Sequence, residues 1–171
     1  MLLIYFILGL IVALILIAIL SPSSYLFEKS ITINKPVSEV YGKVADLNNF
    51  RKWNPWQQTE PGAASQITGS PDTIGHKYSW EGKKIGMGSL TLANRVTNQS
   101  IHFQLEFLKP WKSKADDSWT FSETAGSTLV SWRNSGELPF PVARLMGPII
   151  KKQLNHQFEA GLLNLKKLCE G

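Results

Sequence analysis

SIHFQLEFL, residues 100–108, places Ile101, Phe103, Leu105 and Phe107 on one parity and His102, Gln104 and Glu106 on the other. A period of two sustained over that length is the pattern of a strand with one dry face and one wet face. The same period recurs on either side of it. HKYSWE, residues 76–81, aligns Tyr78 and Trp80 against Lys77, Ser79 and Glu81, and residues 87–96 align Leu90, Leu92 and Val96. Downstream, residues 113–123 carry Trp119 and Phe121, and residues 127–134 carry Val130 and Trp132. Far upstream, residues 25–33 set Phe27, Lys29, Ile31 and Ile33 on one side and Ser30 and Thr32 on the other. Gly82-Lys83, Lys109-Pro110, Gly126 and Gly136 punctuate these runs, so consecutive strands joined by short turns are expected to form an antiparallel meander.

The dry face of such a sheet needs a cover. Ile150, Leu154, Phe158, Leu162 and Leu165 make one helical stripe, with Lys151, Lys152, His156, Glu159, Lys166 and Lys167 mostly off it. Gly147-Pro148 is expected to open this helix, which would run roughly 31 Å to Leu168, with residues 140–146 forming an extra turn ahead of it. A shorter amphipathic helix is expected after Pro36, where Val37, Val40, Tyr41 and Val44 repeat at helical spacing as far as about Ala45. Residues 46–56 read as a helical turn followed by a proline-broken loop, Trp53-Asn-Pro-Trp56. The fold class is α+β.

Composition divides the chain into two physical objects. It has 171 residues and a net charge of +5, yet residues 1–20, MLLIYFILGLIVALILIAIL, hold no charged side chain at all. As a helix this stretch spans roughly 30 Å, the thickness of a bilayer's hydrocarbon core. No Lys or Arg precedes it, so it lacks the basic start of a cleaved signal peptide. It is read as a retained transmembrane anchor, with residues 21–25 as linker and residues 26–171 as the domain. Lys29 and Lys35 just downstream lean toward a cytoplasmic domain, with export as the alternative.

The order strand, short helices, strands, long helix, with Ser30-Ile-Thr-Ile-Asn-Lys-Pro36, Trp53-Asn-Pro-Trp56, Gly75 to Trp80, Gly86-Met-Gly88, Thr128-Leu-Val-Ser-Trp132 and Phe158-Glu-Ala-Gly-Leu162, resembles the START-like (SRPBCC, polyketide cyclase and lipid-transport) superfamily. It is similar in particular to bacterial members with one membrane helix ahead of the domain. The resemblance implies a helix-grip fold, in which a curved antiparallel sheet wraps around a long C-terminal helix, preceded here by one transmembrane helix in a bacterial inner membrane. It also implies a cavity between sheet and helix that holds an apolar or amphipathic small molecule. On side-chain parity that cavity would be lined by Tyr78, Trp80, Leu92, Phe103, Phe107, Trp119 and Trp132 from the sheet and by Leu154 and Phe158 from the helix. Trp53 and Trp56 would either rim the cavity or plug it.

Other chemistry is poorly represented. The only cysteine is Cys169, so neither a disulfide nor a thiolate zinc cluster can form within the chain. There is no nucleophile elbow, Walker loop or zincin motif, and Gly86-Met-Gly88 lacks the third glycine of a dinucleotide loop. Of the three histidines only His76 shares inward parity, and it is expected at the surface end of a strand. Asp117 shares the parity of Trp119 and is expected at a solvated strand edge. Lysines come in pairs, Lys83-Lys84, Lys151-Lys152 and Lys166-Lys167, which solvated faces explain without nucleic acid. No catalytic residue, metal or cofactor is assigned, and no protein partner is named. The leading expectation is a membrane-anchored module that binds a hydrophobic or amphipathic small molecule, lipid-derived ones included. A cyclase- or hydrolase-type enzyme using the same cavity, through His76, Asp117 or Tyr78, is one alternative; a tethered interaction domain with a filled core is the other.

Overall fold

The computed structural model describes all residues, 1–171. An apolar helix α1 (Leu2–Leu20) leads into strand β1 (Ser24–Ile33), followed by three short helices, α2 (Val37–Ala45), α3 (Leu47–Trp53) and α4 (Pro55–Thr59). Six strands come next, β2 (Ala64–Thr68), β3 (Lys77–Glu81), β4 (Met87–Val96), β5 (Ser100–Lys109), β6 (Ser113–Thr124) and β7 (Ser127–Glu137), and helix α5 (Val142–Glu170) closes the chain. All the strands form one antiparallel sheet in the order β1-β7-β6-β5-β4-β3-β2. This is the helix-grip architecture expected from the sequence.

Local chemistry sets the small helices. Val40, Tyr41 and Val44 bury the stripe of α2. The Asp46 carboxylate accepts from the Asn48 N–H at 2.9 Å and the Asn54 side chain accepts from the Trp56 N–H at 2.9 Å, so each caps the following helix. Pro55 then fills the first position of α4, where its missing N–H costs nothing.

Helix α5 differs from expectation at its start. It begins at Val142, behind Pro141, and Pro148 lies inside it. The proline removes one helical hydrogen bond, and ahead of it Gly147 lies close to buried Leu138, to which an added Cβ would approach within 3.3 Å. Burial along α5 is one-sided in sequence. Phe158, Gly161, Leu162, Leu165 and Cys169 are buried, whereas nothing before Phe158 is. The polar clasps follow the same division. Lys29 pairs with Glu159 at 2.8 Å, Asn164 donates to the Trp53 carbonyl at 3.2 Å, Lys166 donates to the Thr32 carbonyl at 2.7 Å, and Glu170 accepts from the Asn34 N–H at 2.7 Å. Only a 3.4 Å bond from Arg144 to the Leu138 carbonyl holds the first half.

The two ends of the sheet are therefore unlike. At one end lie the connections 34–36, 69–76, 97–99 and 125–126, closed over by α2, α3 and the second half of α5. At the other lie 21–23, 82–86, 110–112 and 138–141, next to the end of α1, whose Ala18 is fully buried. We call these the distal and proximal ends.

Candidate functional site

Reading the concave face of β6 and β7 from distal to proximal, the cross-strand pairs are Phe121 with Val130, Trp119 with Trp132, Asp117 with Asn134, and Ala115 with Gly136. The second pair is the plug. Trp119 stacks on Trp132 with ring centroids 4.4 Å apart, Trp132 stacks on Phe158 at 3.9 Å, and Trp53 meets both tryptophans edge-on at 5.5 and 5.9 Å. Offset and edge-to-face aromatic contacts at these distances fill space completely. The middle of the sheet–helix interface is thus packed by aromatic rings, so a cavity of the kind expected from the sequence does not run through it.

Proximal to that plug the lining changes size. Ala115 and Gly136 form the floor, and the ring of Tyr25 lies against Gly136, where an added Cβ would sit 2.9 Å from it. Beside them Leu105, Phe107 and Trp80 are only partly buried, although Ile101, Phe103 and Tyr78 one or two rungs away are closed off. Helix α5 packs along β1 and the α2–α4 segment and makes little contact with β3 to β5. An apolar trough results, open at the proximal end. Leu154 and Trp56 border it from the helical side, packed on the edge of the core. Two clefts open at this end. One of about 310 Å³ is bounded by Glu106, Phe107, Leu108, Lys112, Ser113 and Lys114, most of them polar residues. A larger one lies mainly on the opposite face of the sheet, among Gln104, Lys114, Asp116, Arg133 and Ser135, and reaches round the proximal edge to Tyr25, Ala115 and Gly136.

Of the residues singled out from sequence, Trp53, Tyr78, Leu92, Phe103, Trp119, Trp132 and Phe158 stand in the packed half, each at most 2 % exposed. Trp56, Trp80, Phe107 and Leu154 stand at the trough or its border, partly exposed. Trp53 belongs to the plug and not to a rim.

Between plug and trough sits a polar cluster. Asp117 accepts from the indole N–H groups of Trp119 and Trp132, each at 2.8 Å, and from the Asn134 amide at 3.2 Å; Tyr25 donates its hydroxyl to the Asn134 side-chain oxygen at 2.8 Å. Burial pushes the Asp117 carboxyl up to about 6, outweighing the indole and amide donors that favour its charged form. Burial, with the charges of Asp117 and Asp116, pushes the Tyr25 hydroxyl up to about 12. The expectation that Asp117 lies at a solvated edge is corrected, since it is 5 % exposed. Its inward parity with Trp119 was the signal, and Asn134, which shares the parity of Trp132, was missed by the same token.

His76 is also corrected, from strand-end surface to fully buried. Its Nε2 accepts from the Leu47 N–H at 3.0 Å and its Nδ1 faces the Thr68 carbonyl at 3.1 Å, which assigns the proton to Nδ1. The ring fastens the start of α3 to β2, and both nitrogens are occupied. Tyr78 likewise donates to Gln57 at 2.6 Å inside the core. Glu60 accepts from the N–H groups of Lys83, Lys84 and Ile85 at 2.9, 2.8 and 3.1 Å, which hold its carboxyl below the usual carboxylate range and fasten the β3–β4 turn. Burial pushes the Cys169 thiol up to about 11, so it is a packing group and not a nucleophile.

A family model described as "Polyketide cyclase / dehydrase and lipid transport" matches residues 25–170. The chain belongs to this family. Solved structures share its fold: protein CV1439 from Chromobacterium violaceum has a TM-score of 0.65 at 16 % identity, over 85 % of this chain and 97 % of that one. The di-domain ARO/CYC StfQ from the steffimycin biosynthetic pathway has a TM-score of 0.66 at 12 % identity, over 86 % of this chain and 52 % of that one. The Aha1 dimer from Colwellia psychrerythraea gives 0.59 at 17 %, over 85 % and 96 %. At these identities the likeness is one of fold. Among curated proteins none is similar enough in sequence to count as a relative.

Proposed function

We propose that this protein is a membrane-tethered module that holds a hydrophobic or amphipathic small molecule in the proximal trough, with α1 as a retained single-pass anchor. The observation that carries this reading is the split in burial: one half of the concave face is packed by buried aromatic rings, and the other leaves Trp80, Leu105 and Phe107 partly exposed beside the small residues Ala115 and Gly136. Apolar surface left open at the mouth of a closed core gains about 25 cal/mol for each Å² that a guest covers, before the cost of ordering that guest. Tyr25, partly exposed against Gly136, borders the trough, while Asn134 and Asp117 behind it are buried and bonded within the protein. The family's description couples cyclisation with lipid transport, and α1 is long and apolar enough to cross a bilayer. An apolar guest drawn from that bilayer would meet the trough without crossing water.

A cyclase-type reading is favoured by one observation, the Asp117 carboxyl pushed up to about 6. Both of its oxygens, however, are held by protein donors, and it is closed off from the trough. Binding is therefore the better-supported function. The test uses the full chain in lipid nanodiscs titrated with cis-parinaric acid, reading energy transfer from tryptophan. Saturable transfer, reduced at least tenfold in apparent affinity by Ala115→Leu, is expected. Transfer that rises without saturation, or is indifferent to Ala115→Leu in a variant that still unfolds cooperatively, would count against the trough.

A further inference from the structure

We propose that the proximal end of the domain docks onto the headgroup layer of an anionic bilayer through the β5–β6 turn and the β7–α5 connection, so that the mouth of the trough faces lipid. This rests on the proposed retention of α1 in the membrane.

Geometry supplies the first support. Only Ser21 to Ser23 separate α1 from β1, so the first residue of the sheet lies within about 14 Å of the last residue of the anchor. Ala18 is buried and α1 packs against α5, which fixes this end of the domain against the anchor. The β7–α5 connection, beside β1 in the sheet, lies closest to the anchor, and the turns 110–112 and 82–86 lie at the same end of the sheet.

The surface chemistry of that end is the second. Trp111, at the tip of the β5–β6 turn, is 69 % exposed, Leu108 beside it in sequence is exposed, and Phe140 and Val142 are exposed at the β7–α5 connection. No contact within the chain explains a tryptophan left in water there. At the distal end, with the adjoining strand residues counted in the same way, Ile74, Val96 and Leu129 are exposed, but no aromatic side chain is. Lysines interleave with the proximal apolar groups: Lys109, Lys112 and Lys114 flank Trp111, and Lys83 and Lys84 occupy the next turn. Lys109 pairs with Glu81 at 3.4 Å and Lys114 with Glu106 at 3.8 Å, leaving Lys112 with no acidic partner in the chain. An exposed aromatic surrounded by basic residues is the composition that settles at a headgroup boundary, where the ring enters the acyl edge and each lysine meets anionic phosphate. Exposed apolar groups clustered at one end also mark an interaction surface in general terms, and continuity with α1 selects the bilayer as its occupant.

The test uses the full chain with Cys169→Ser, reconstituted in vesicles of phosphatidylcholine with phosphatidylglycerol and, separately, of phosphatidylcholine alone. An NBD label is placed through Ser113→Cys, through Val12→Cys inside α1, or through Glu123→Cys at the distal end, and quenching is read with lipids carrying a shallow nitroxide, for 113 and 123, and a deep nitroxide near the acyl-chain end, for 12. Quenching at positions 12 and 113 but not at 123 is expected. Trp111→Ser with Lys112→Glu should lower it at 113 severalfold while leaving 12 unchanged, and quenching at 113 should be weaker without phosphatidylglycerol. If 12 is quenched and 113 reports water, the anchor stands and docking is overturned. If 12 is not quenched, the anchor itself fails and docking falls with it. If 113 is equally shielded in detergent without lipid, a second copy or another protein covers the surface and docking on lipid is overturned.

Discussion

Asp117 accepts from three side-chain N–H groups and still holds its proton to about pH 6, because removing a carboxylate from water costs more than those donors return. The sign of its contribution to stability follows. Its folded value lies above the ordinary 3.8, so the folded state binds the proton more tightly than the unfolded chain. That contribution is fully present below about pH 4 and is lost as pH rises to about 6, a swing of about 3 kcal/mol. Glu60 runs the other way. Its folded value is lowered, so its contribution is present above the ordinary 4.5 and is lost as pH falls. Carboxyl-carbon NMR should show Asp117 titrating near 6. In addition, the stability of the natural protein relative to Asp117→Asn should decline from pH 4 to pH 7. Titration of Asp117 near 4, or a difference that grows with pH, would contradict the assignment of a buried, desolvated acid.

At the scale of elements, Gly161 is what lets α5 lie on the aromatic plug, because a Cβ there would stand 2.8 Å from the Trp132 ring. That ring is clamped between Trp119 and Phe158 and cannot retreat. Gly161→Ala gains about 1 kcal/mol of helix propensity and loses about 1–3 kcal/mol to overpacking, so a net loss of about 1 kcal/mol in urea denaturation is expected. A stabilised variant would show that the helix can shift. Glu60→Ala should speed amide exchange at Lys83, Lys84 and Ile85 while leaving exchange in β5 to β7 unchanged; uniform protection would show that the turn needs no clamp.

The central strands and the second half of α5 were legible because each is half-buried, and half-burial writes a period of two or of 3.6 into the residues. β2 was not, since in Ala64–Thr68 only Ile67 is large and apolar and the rest are short polar side chains at the sheet's edge. The start of α5 was displaced because Pro141 and Pro148 carry the same local signal, and nothing local decides between them. The roles of His76 and Asp117 depend on partners such as the Leu47 N–H, the Thr68 carbonyl and the Trp132 indole, distant in sequence. Parity shows which way a side chain points but not whether another fills the space ahead of it. For the same reason the aromatic face suggested a hollow, and only the ring-to-ring distances show that aromatic rings pack half of it.

For the whole molecule, the polarity of the domain matters more than its average properties. One end is closed by α2, α3 and the second half of α5; the other holds the trough, the exposed Trp111 and the last turn of α1. On the proposed function, an apolar guest would enter at the end next to α1, with the plug behind it. The most direct measurement places the full chain in lipid nanodiscs with a diazirine-bearing palmitate, irradiates, and maps the modified peptides by mass spectrometry. Adducts on Trp80, on residues 105–107 or on residues 150–154, abolished by Ala115→Leu, are expected. Adducts confined to residues 1–20 would show a helix in lipid beside an empty domain, and would contradict the trough as a binding site.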